Sequence, residues 1–136
     1  MLWWGLGALG LVVLLAQAYV RLAPGNPLDW HVAPKVTEDK DLANGVRRVL
    51  AVWPDAYGKL DQIVMATPRT TRLAGSPKVG LTTYVTRSLF WGFPDYTTIA
   101  RGEGHVEIYA RSRFGRSDMG VNKRRVEGWL AALRGD

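Results

Sequence analysis

The hydrophobic and polar positions of this chain separate a long apolar N-terminal stretch from a mixed remainder. From Leu2 to Val20 there are nineteen consecutive uncharged residues, which as a helix would be about 28 Å long. The hydrocarbon core of a bilayer is about 30 Å thick, so the stretch predicts a membrane-spanning helix. Trp3, Trp4 and Tyr19 lie near its two ends, where amphipathic aromatic rings prefer to sit.

A cleaved signal peptide is the alternative interpretation of this stretch. Ala16-Gln17-Ala18 offers a small-x-small cleavage site. However, no lysine or arginine precedes the apolar run, and the run is longer than the apolar region of most signal peptides. The pattern therefore favours an uncleaved anchor over residues 1–21. Gly5, Gly7 and Gly10 give this helix a small face, which indicates either ordinary glycine content or close packing against a partner helix.

Residues 22–45 are predicted to be a tether followed by a loop. Pro24, Pro27 and Pro34 keep the first part extended, and residues 38–44 are polar and loop-like. Trp30 and His31 are the candidates for docking the tether onto the domain or the membrane surface.

The remaining pattern, residues 46–136, predicts an α+β domain. Apolar residues at helical spacing indicate helices at 55–66 and after 117, the second capped by Ser117 or Asn122. In residues 105–113, Val106, Ile108 and Ala110 share one face of a strand, which forms a hairpin with residues 96–100 across a glycine turn. Further strands are predicted at 46–53, 70–74 and 81–89. Together these elements predict an antiparallel sheet of about five strands with two helices packed on it.

Charge is concentrated in one segment of the domain. The chain has 18 basic and 12 acidic residues, a net charge of +6, and residues 111–125 alone hold six cations and one acid. The chain has no cysteine, so its composition requires no particular redox compartment. We call residues 111–125 the basic corner, because they join the last predicted strand to the last helix.

The basic corner has two interpretations. In the first it is an anion site, where arginines and backbone N–H groups near two glycines meet a phosphate, a carboxylate or a lipid headgroup. Its binding residues would be Arg111, Arg113, Arg116, Ser117, Lys123 and Arg124. In the second it is a structural corner, where Asp95 and Asp118 accept from Arg87, Arg111 or Arg125 and Asn122 caps the helix. The second is favoured, and it leaves several cations over for a contact surface.

The segment Phe90-Trp91-Gly92-Phe93-Pro94 is the second unusual feature. Three rings cannot all face inward from a continuous strand, because successive side chains alternate between its two faces. At least one ring is expected to be exposed, and Trp91 and Phe93 are the candidates for a membrane or protein contact.

Catalysis finds little support in the pattern. His31 and His105 are far apart in predicted tether and hairpin, and no nucleophile or phosphate-binding motif occurs. Asp95 and Asp118 could form a paired-carboxylate site, but the arginines between them favour structural pairing. No metal or cofactor is expected.

Three segments resemble the bacterial domain of unknown function 1499 family. They are Arg87-Ser88, the run Gly92-Phe93-Pro94-Asp95-Tyr96, and the basic corner with Ser112, Gly115, Ser117, Asp118, Gly120, Val121, Asn122 and Arg125. The resemblance covers residues 46–133 and implies an envelope-associated domain, often behind an N-terminal membrane or export segment. It implies no activity. Some forms of the family begin with a cysteine-containing segment, and this chain departs from them.

The functional expectations follow from the anchor, the basic corner and the resemblance. The first is a non-catalytic, membrane-anchored accessory or interaction subunit, with the bilayer and a membrane protein as partners. The alternatives are a module for anionic lipid or a small anion, and an uncharacterised enzyme. Nucleic acid is disfavoured, because the chain is tethered to a membrane. Arg21 alone indicates a cytoplasmic domain, but a translocated domain largely escapes this rule, and the expected location is a bacterial inner membrane with the domain on its periplasmic side.

Overall fold

The computed structural model of the protein describes residues 1–51 and 53–135. The first element is helix α1 (Leu2–Leu22). Its side chains are exposed along almost the whole length, and only Val20 near its C-terminal end is buried. The helix is long and apolar enough to cross a bilayer, a property that signal sequences near the N-terminus share.

Six antiparallel strands form a single sheet. The strands are β1 (Lys40–Leu42), β2 (Gly45–Ala51), β3 (Thr70–Ser76), β4 (Leu81–Arg87), β5 (Pro94–Arg101) and β6 (His105–Ser112). Their order across the sheet is β1-β2-β6-β5-β4-β3. The register of the central pair places Asp95 opposite Ser112 and Tyr96 opposite Arg111, so the end of β6 that enters the basic corner meets the start of β5.

One face of the sheet is covered by helices α3 (Ala56–Met65) and α4 (Val121–Arg134). The core between them contains Leu60, Val64, Ile108 and Trp129, and the Trp129 Nε1–H donates to Thr67 Oγ1 at 2.8 Å. The predicted alternation in β6 is confirmed, because Val106, Ile108 and Ala110 are all buried against these helices.

The other face of the sheet is covered by the segment after α1. It contains the short helix α2 (Pro27–Trp30), whose N-terminus is capped by Asn26. The Trp30 ring stacks on Tyr96 with centroids 4.1 Å apart, and His31 Nδ1 lies 2.9 Å from Thr83 Oγ1. The tether therefore docks onto the domain as a strap, which we define as residues 23–36.

The α+β class is confirmed, with corrections at the level of single elements. The sheet has six strands instead of five, because residues 40–42, predicted to be loop, pair with β2. Strand β3 continues through Gly75 and Ser76, and the turn falls at residues 77–80, where Gly80 N–H donates to Ser76 O. Strand β4 ends at Arg87, short of Leu89, because a loop closed by Ser88 begins there.

Edge strand β1 is held by ion pairs to its second residue. The Asp41 carboxylate accepts from Lys123 at 2.7 Å and from Arg48 at 2.8 Å. The hydrogen bonds from Lys123 and Arg48 lower the pKa of Asp41 below its ordinary value. A lowered carboxyl pKa stabilises the folded state above the ordinary pKa and stops doing so as pH falls through the lowered value.

We therefore expect Asp41→Asn to lower the unfolding midpoint at pH 7, and we expect this penalty to shrink as pH falls through the lowered pKa of Asp41. Thermal unfolding of the full chain in a mild detergent, at pH 7 and over a series of falling pH values, measures the difference. If Asp41→Asn lowered the unfolding midpoint equally at pH 7 and at acid pH, the ion pairs of Asp41 would not be the cause of the loss. Asp29→Asn is the matched control, because Asp29 forms no ion pair within the described residues.

Candidate functional site

The basic corner lies between the end of β6 and the start of α4, next to the C-terminal end of α1. Phe114 of the corner contacts Tyr19 of α1 edge-on, with ring centroids 6.2 Å apart, and it contacts Phe93 at the same distance. The segment that carries most of the family resemblance is therefore also the segment that contacts helix α1.

Two arginines donate to the main chain where α1 ends. Arg87 Nη1 donates to Val20 O at 3.2 Å and to Gly92 O at 2.9 Å. Arg113 Nη1 donates to Ala23 O at 3.3 Å and to Pro24 O at 3.2 Å. The last carbonyls of a helix lack intrahelical partners and carry the negative end of its dipole, so cations are stabilising there.

A third arginine holds the strap against the sheet. Arg111 Nη2 donates to Trp30 O at 2.8 Å, and its Nη1 donates to Thr98 Oγ1 at 2.9 Å and Tyr109 O at 3.1 Å. The guanidinium also lies 4.7 Å from the Tyr109 ring centroid. Burial lowers the pKa of Arg111 to about 10. Among the described residues no carboxylate pairs with it, so its acceptors are neutral.

We call Arg87, Arg111 and Arg113 the arginine clamp. All three donate to carbonyl oxygens between Val20 and Trp30. Arg111 is 8% exposed and lies beneath the strap, so it does not belong to an open cationic surface as the anion-site interpretation expected. Arg113 is partly buried against the strap as well, and its guanidinium also approaches Tyr96 Oη at 3.3 Å.

Behind the clamp, a closed polar network ties β5, β6 and α4 together. Asp95 accepts from Arg125 Nη1 at 2.9 Å and from Ser112 Oγ at 2.8 Å. Asn122 Nδ2 donates to Ser112 Oγ at 3.3 Å, and Asn122 Oδ1 accepts from Arg125 at 3.1 Å. This network is the structural corner expected from the sequence, although it contains only one of the suggested arginines, Arg125.

The start of α4 differs from the prediction. Gly120 occupies the N-cap position with a φ of 75°, in the left-handed region that suits glycine. Asp118 accepts from Gly120 N at 2.9 Å, Asn122 N at 3.1 Å and Asn122 Nδ2 at 3.0 Å. The capping acceptor is therefore Asp118, not Ser117 or Asn122. An ionised carboxylate suits this position, because it meets unpaired N–H groups at the positive end of the helix.

The remaining predicted binding residues do not converge. Lys123 pairs with Asp41 at the sheet edge, and Arg124 Nη1 donates to Met119 O at 3.0 Å. Ser117 Oγ accepts from Met119 N at 3.2 Å, while Arg116 is exposed. The cations left over by the structural corner therefore point to separate places instead of surrounding one anion.

The aromatic segment forms an exposed loop beside α1, which we call the aromatic loop (residues 88–93). Ser88 closes it, since its Oγ accepts from Phe93 N and its N–H donates to Phe93 O, both at 3.0 Å. Phe90, Trp91 and Phe93 are all exposed, and Arg21 Nη2 donates to Phe90 O at 2.7 Å. The loop therefore projects at the end of the apolar helix, where a bilayer surface would lie.

A groove of about 600 Å³ opens between the aromatic loop and the basic corner. Its lining surface is mainly apolar, with polar groups of the corner at its base. The apolar wall consists of Trp91, Phe93, Pro94, Phe114, Met119 and Val121. Asp95, Ser112, Asp118 and Arg125 are among its polar residues. Concave, mainly apolar surfaces with a few polar groups are typical of small-molecule sites.

Together these features define a class of protein: an antiparallel α+β domain whose arginines clamp the segment that joins it to an apolar N-terminal helix. The chain belongs to the DUF1499 family (protein of unknown function), whose family model matches residues 31–133. The match begins before residue 46, within the predicted tether, and so includes residues 31–36 of the strap. A comparison with curated proteins gave no match.

Proposed function

We propose that the chain is a non-catalytic accessory or interaction domain, held in a fixed pose at a membrane surface by α1. The observation that carries the proposal is the arginine clamp. Three arginines of the family-defining segments bind the main chain of the segment that leads away from α1. A domain that needed only to be tethered would not require them, whereas a domain that presents one surface to a membrane neighbour would.

The exposure of α1 supports a membrane partner. Trp3, Leu14 and Tyr19 are each more than half exposed, and apolar surface of this extent needs to be covered by lipid or by another helix. Among the described residues, a Cβ atom added at Gly5, Gly7 or Gly10 would meet nothing within 4 Å outside the backbone of α1 itself, and glycine faces suit close helix contacts. A bacterial inner membrane with the domain on its periplasmic side is part of the proposal.

Co-purification tests the accessory role. We expect the full chain, extracted in a mild detergent, to be recovered in fixed stoichiometry with one or more membrane proteins. The variant Arg87→Met/Arg113→Met should recover about tenfold less partner, because the hydrogen bonds that fix the pose are lost. The matched control is Arg116→Met/Arg124→Met, which removes the same charge from two arginines outside the clamp and should retain the partner. Recovery of the parent as a lone monomer would refute the accessory role.

The orientation of the domain relative to α1 can be measured separately. The chain has no cysteine, so a double variant Gln17→Cys/Val79→Cys can be spin-labelled at only two positions. We expect a narrow distance distribution between α1 and the β3–β4 turn in the parent and a broad one in Arg87→Met/Arg113→Met. If the distance distribution stayed equally narrow in Arg87→Met/Arg113→Met, the arginine clamp would not be what fixes the orientation of the domain relative to α1.

The aromatic loop provides a further prediction. A spin label at Phe90→Cys in nanodiscs should be accessible to oxygen and protected from a water-soluble nickel relaxant, because aromatic side chains partition into the membrane interface. A label at Val79→Cys is the control, since Val79 is equally exposed but lies on the β3–β4 turn. Equal nickel accessibility at both positions would mean that the loop does not enter the interface.

A further inference from the structure

We infer that the groove between the aromatic loop and the basic corner holds the alkyl chain of a membrane amphiphile whose polar end carries a hydrogen-bond-donating cation, such as an ammonium group. The inference rests on the proposed membrane anchoring of α1 and adds a ligand to it. The ligand class differs from the anionic headgroup considered from the sequence.

The first argument is the continuity of the groove wall with the anchor helix. Phe114 and Phe93 both line the groove, and Phe114 also contacts Tyr19 in the last turns of α1. The contact between Tyr19 and Phe114 therefore connects the apolar helix to the groove wall. A chain leaving the bilayer at this point would keep apolar contact along its path.

The second argument is the composition of the wall and its size. Met119 is 85% exposed at the groove rim, although a large apolar side chain gains free energy when it is covered. Methionine adapts its shape to irregular apolar ligands. A volume of about 600 Å³ suits one lipid-like chain, whose burial in the groove removes apolar surface from water.

The third argument concerns the charge of the polar residues that line the groove. Asp95 and Arg125 compensate each other at 2.9 Å. Asp118, which also lines the groove, accepts only from amide groups and forms no ion pair within residues 1–51 and 53–135. By formal charge, the lining side chains Asp95, Asp118 and Arg125 therefore sum to −1. A cationic donor complements this sum better than a carboxylate or phosphate monoester headgroup does.

Photo-crosslinking of the full chain in nanodiscs tests the inference. Three C16 probes with the same chain-borne diazirine are used: an alkylamine, an alcohol and a carboxylic acid. We expect the amine to label groove residues such as Phe93, Phe114 and Met119 about fivefold more than the acid does, normalised to labelling of α1. The alcohol should fall between them.

Two variants test the contributions of the alkyl chain and of the headgroup separately. Asp118→Asn keeps a side-chain acceptor at the start of α4 and should abolish the preference for the amine. Val121→Arg places a cation and extra bulk at the groove rim, and it should reduce labelling of Phe93 and Phe114 by all three probes. Val79→Arg is the matched control on an exposed residue of the β3–β4 turn and should change neither readout.

Several results would overturn the inference. Groove labelling at background level while α1 is labelled strongly would show that no chain enters. Equal labelling by the three headgroups, or a preference for the acid, would refute the assigned ligand chemistry. Crosslinks from the groove to a protein in native membranes would assign the site to a protein partner. Absence of labelling on α1 would instead refute the membrane anchoring.

Discussion

Replacing Asp95 by alanine is expected to lower the free energy of unfolding by about 3 kcal/mol or more, because a largely buried arginine loses its counter-charge. The side chains of Asp95 and Arg125 are only 11% and 16% exposed. Asp95 also accepts from Ser112 Oγ, so the substitution leaves a second polar group with one partner fewer. Unfolding of the full chain in a mild detergent, followed by tryptophan fluorescence, measures the change.

A double-mutant cycle distinguishes this mechanism from a general packing defect. Arg125→Met retains the apolar stem and removes the charge, and Asp95→Ala/Arg125→Met removes both members of the ion pair. If the pair is the cause, the double variant should be more stable than the sum of the single losses predicts, by about 1–3 kcal/mol. Additive losses would place the effect in packing. Glu38→Ala, which removes an exposed acid that forms no ion pair within the described residues, should be near neutral.

Replacing Trp129 by alanine is expected to cost about 3–5 kcal/mol of stability. The indole is 5% exposed in the core between α3, α4 and the sheet, so its removal leaves a cavity. Its Nε1–H donates to Thr67 Oγ1 just after α3, and this bond connects the two helices that cover the sheet. Chemical unfolding monitored by circular dichroism measures the loss.

Trp129→Phe separates the two contributions. It keeps an aromatic ring in the core and removes the hydrogen bond to Thr67, so we expect a loss of about 1–2 kcal/mol. Thr67→Val removes the acceptor and should cost a similar amount. If Trp129→Ala and Trp129→Phe were equally destabilising, the cavity would not be the main cause.

The strands and helices follow from local patterns in the sequence. Alternation of Val106, Ile108 and Ala110 identifies β6 and its buried face, and the spacing of Val126, Trp129 and Leu130 identifies the stripe of α4. Strand β1 escaped prediction because three residues are too few to show a period. It exists through its pairing with β2 and through the ion pairs of Asp41, which are contacts distant in sequence.

The site was predicted less completely than the fold, and the clamp shows why. Arginines are expected to pair with carboxylates, so Arg87 and Arg111 were assigned to Asp95 and Asp118. Their acceptors are instead the Thr98 hydroxyl and the carbonyl oxygens of Val20, Gly92, Trp30 and Tyr109. Because every residue carries a carbonyl group, no residue type marks such an acceptor in the sequence. The available signal was the excess of arginines over acids in the basic corner.

The groove was missed for a related reason. The sequence drew attention to Trp91 and Phe93 as exposed rings and to Asp95 and Asp118 as polar groups, but as separate features. They line one surface only because Ser88 closes the aromatic loop and Gly92, with a φ of 68°, turns the chain there. The positive φ of Gly92 could have been suspected from its place between aromatic residues, whereas the resulting concavity could not.

The arginine clamp also affects which substitutions the C-terminal end of α1 can accept. Its acceptors between Val20 and Trp30 are main-chain oxygens, which survive any substitution that leaves the backbone path intact. The clamp therefore constrains the backbone path of residues 20–24 and not their side chains, whereas Gly25, which follows them, is constrained because Tyr96 Oη leaves no room for a Cβ atom beside it. Because the acceptors are backbone oxygens, the domain should also accept a different helix. A foreign apolar helix, grafted in register before Gly25, should be held by the same hydrogen bonds as the native helix.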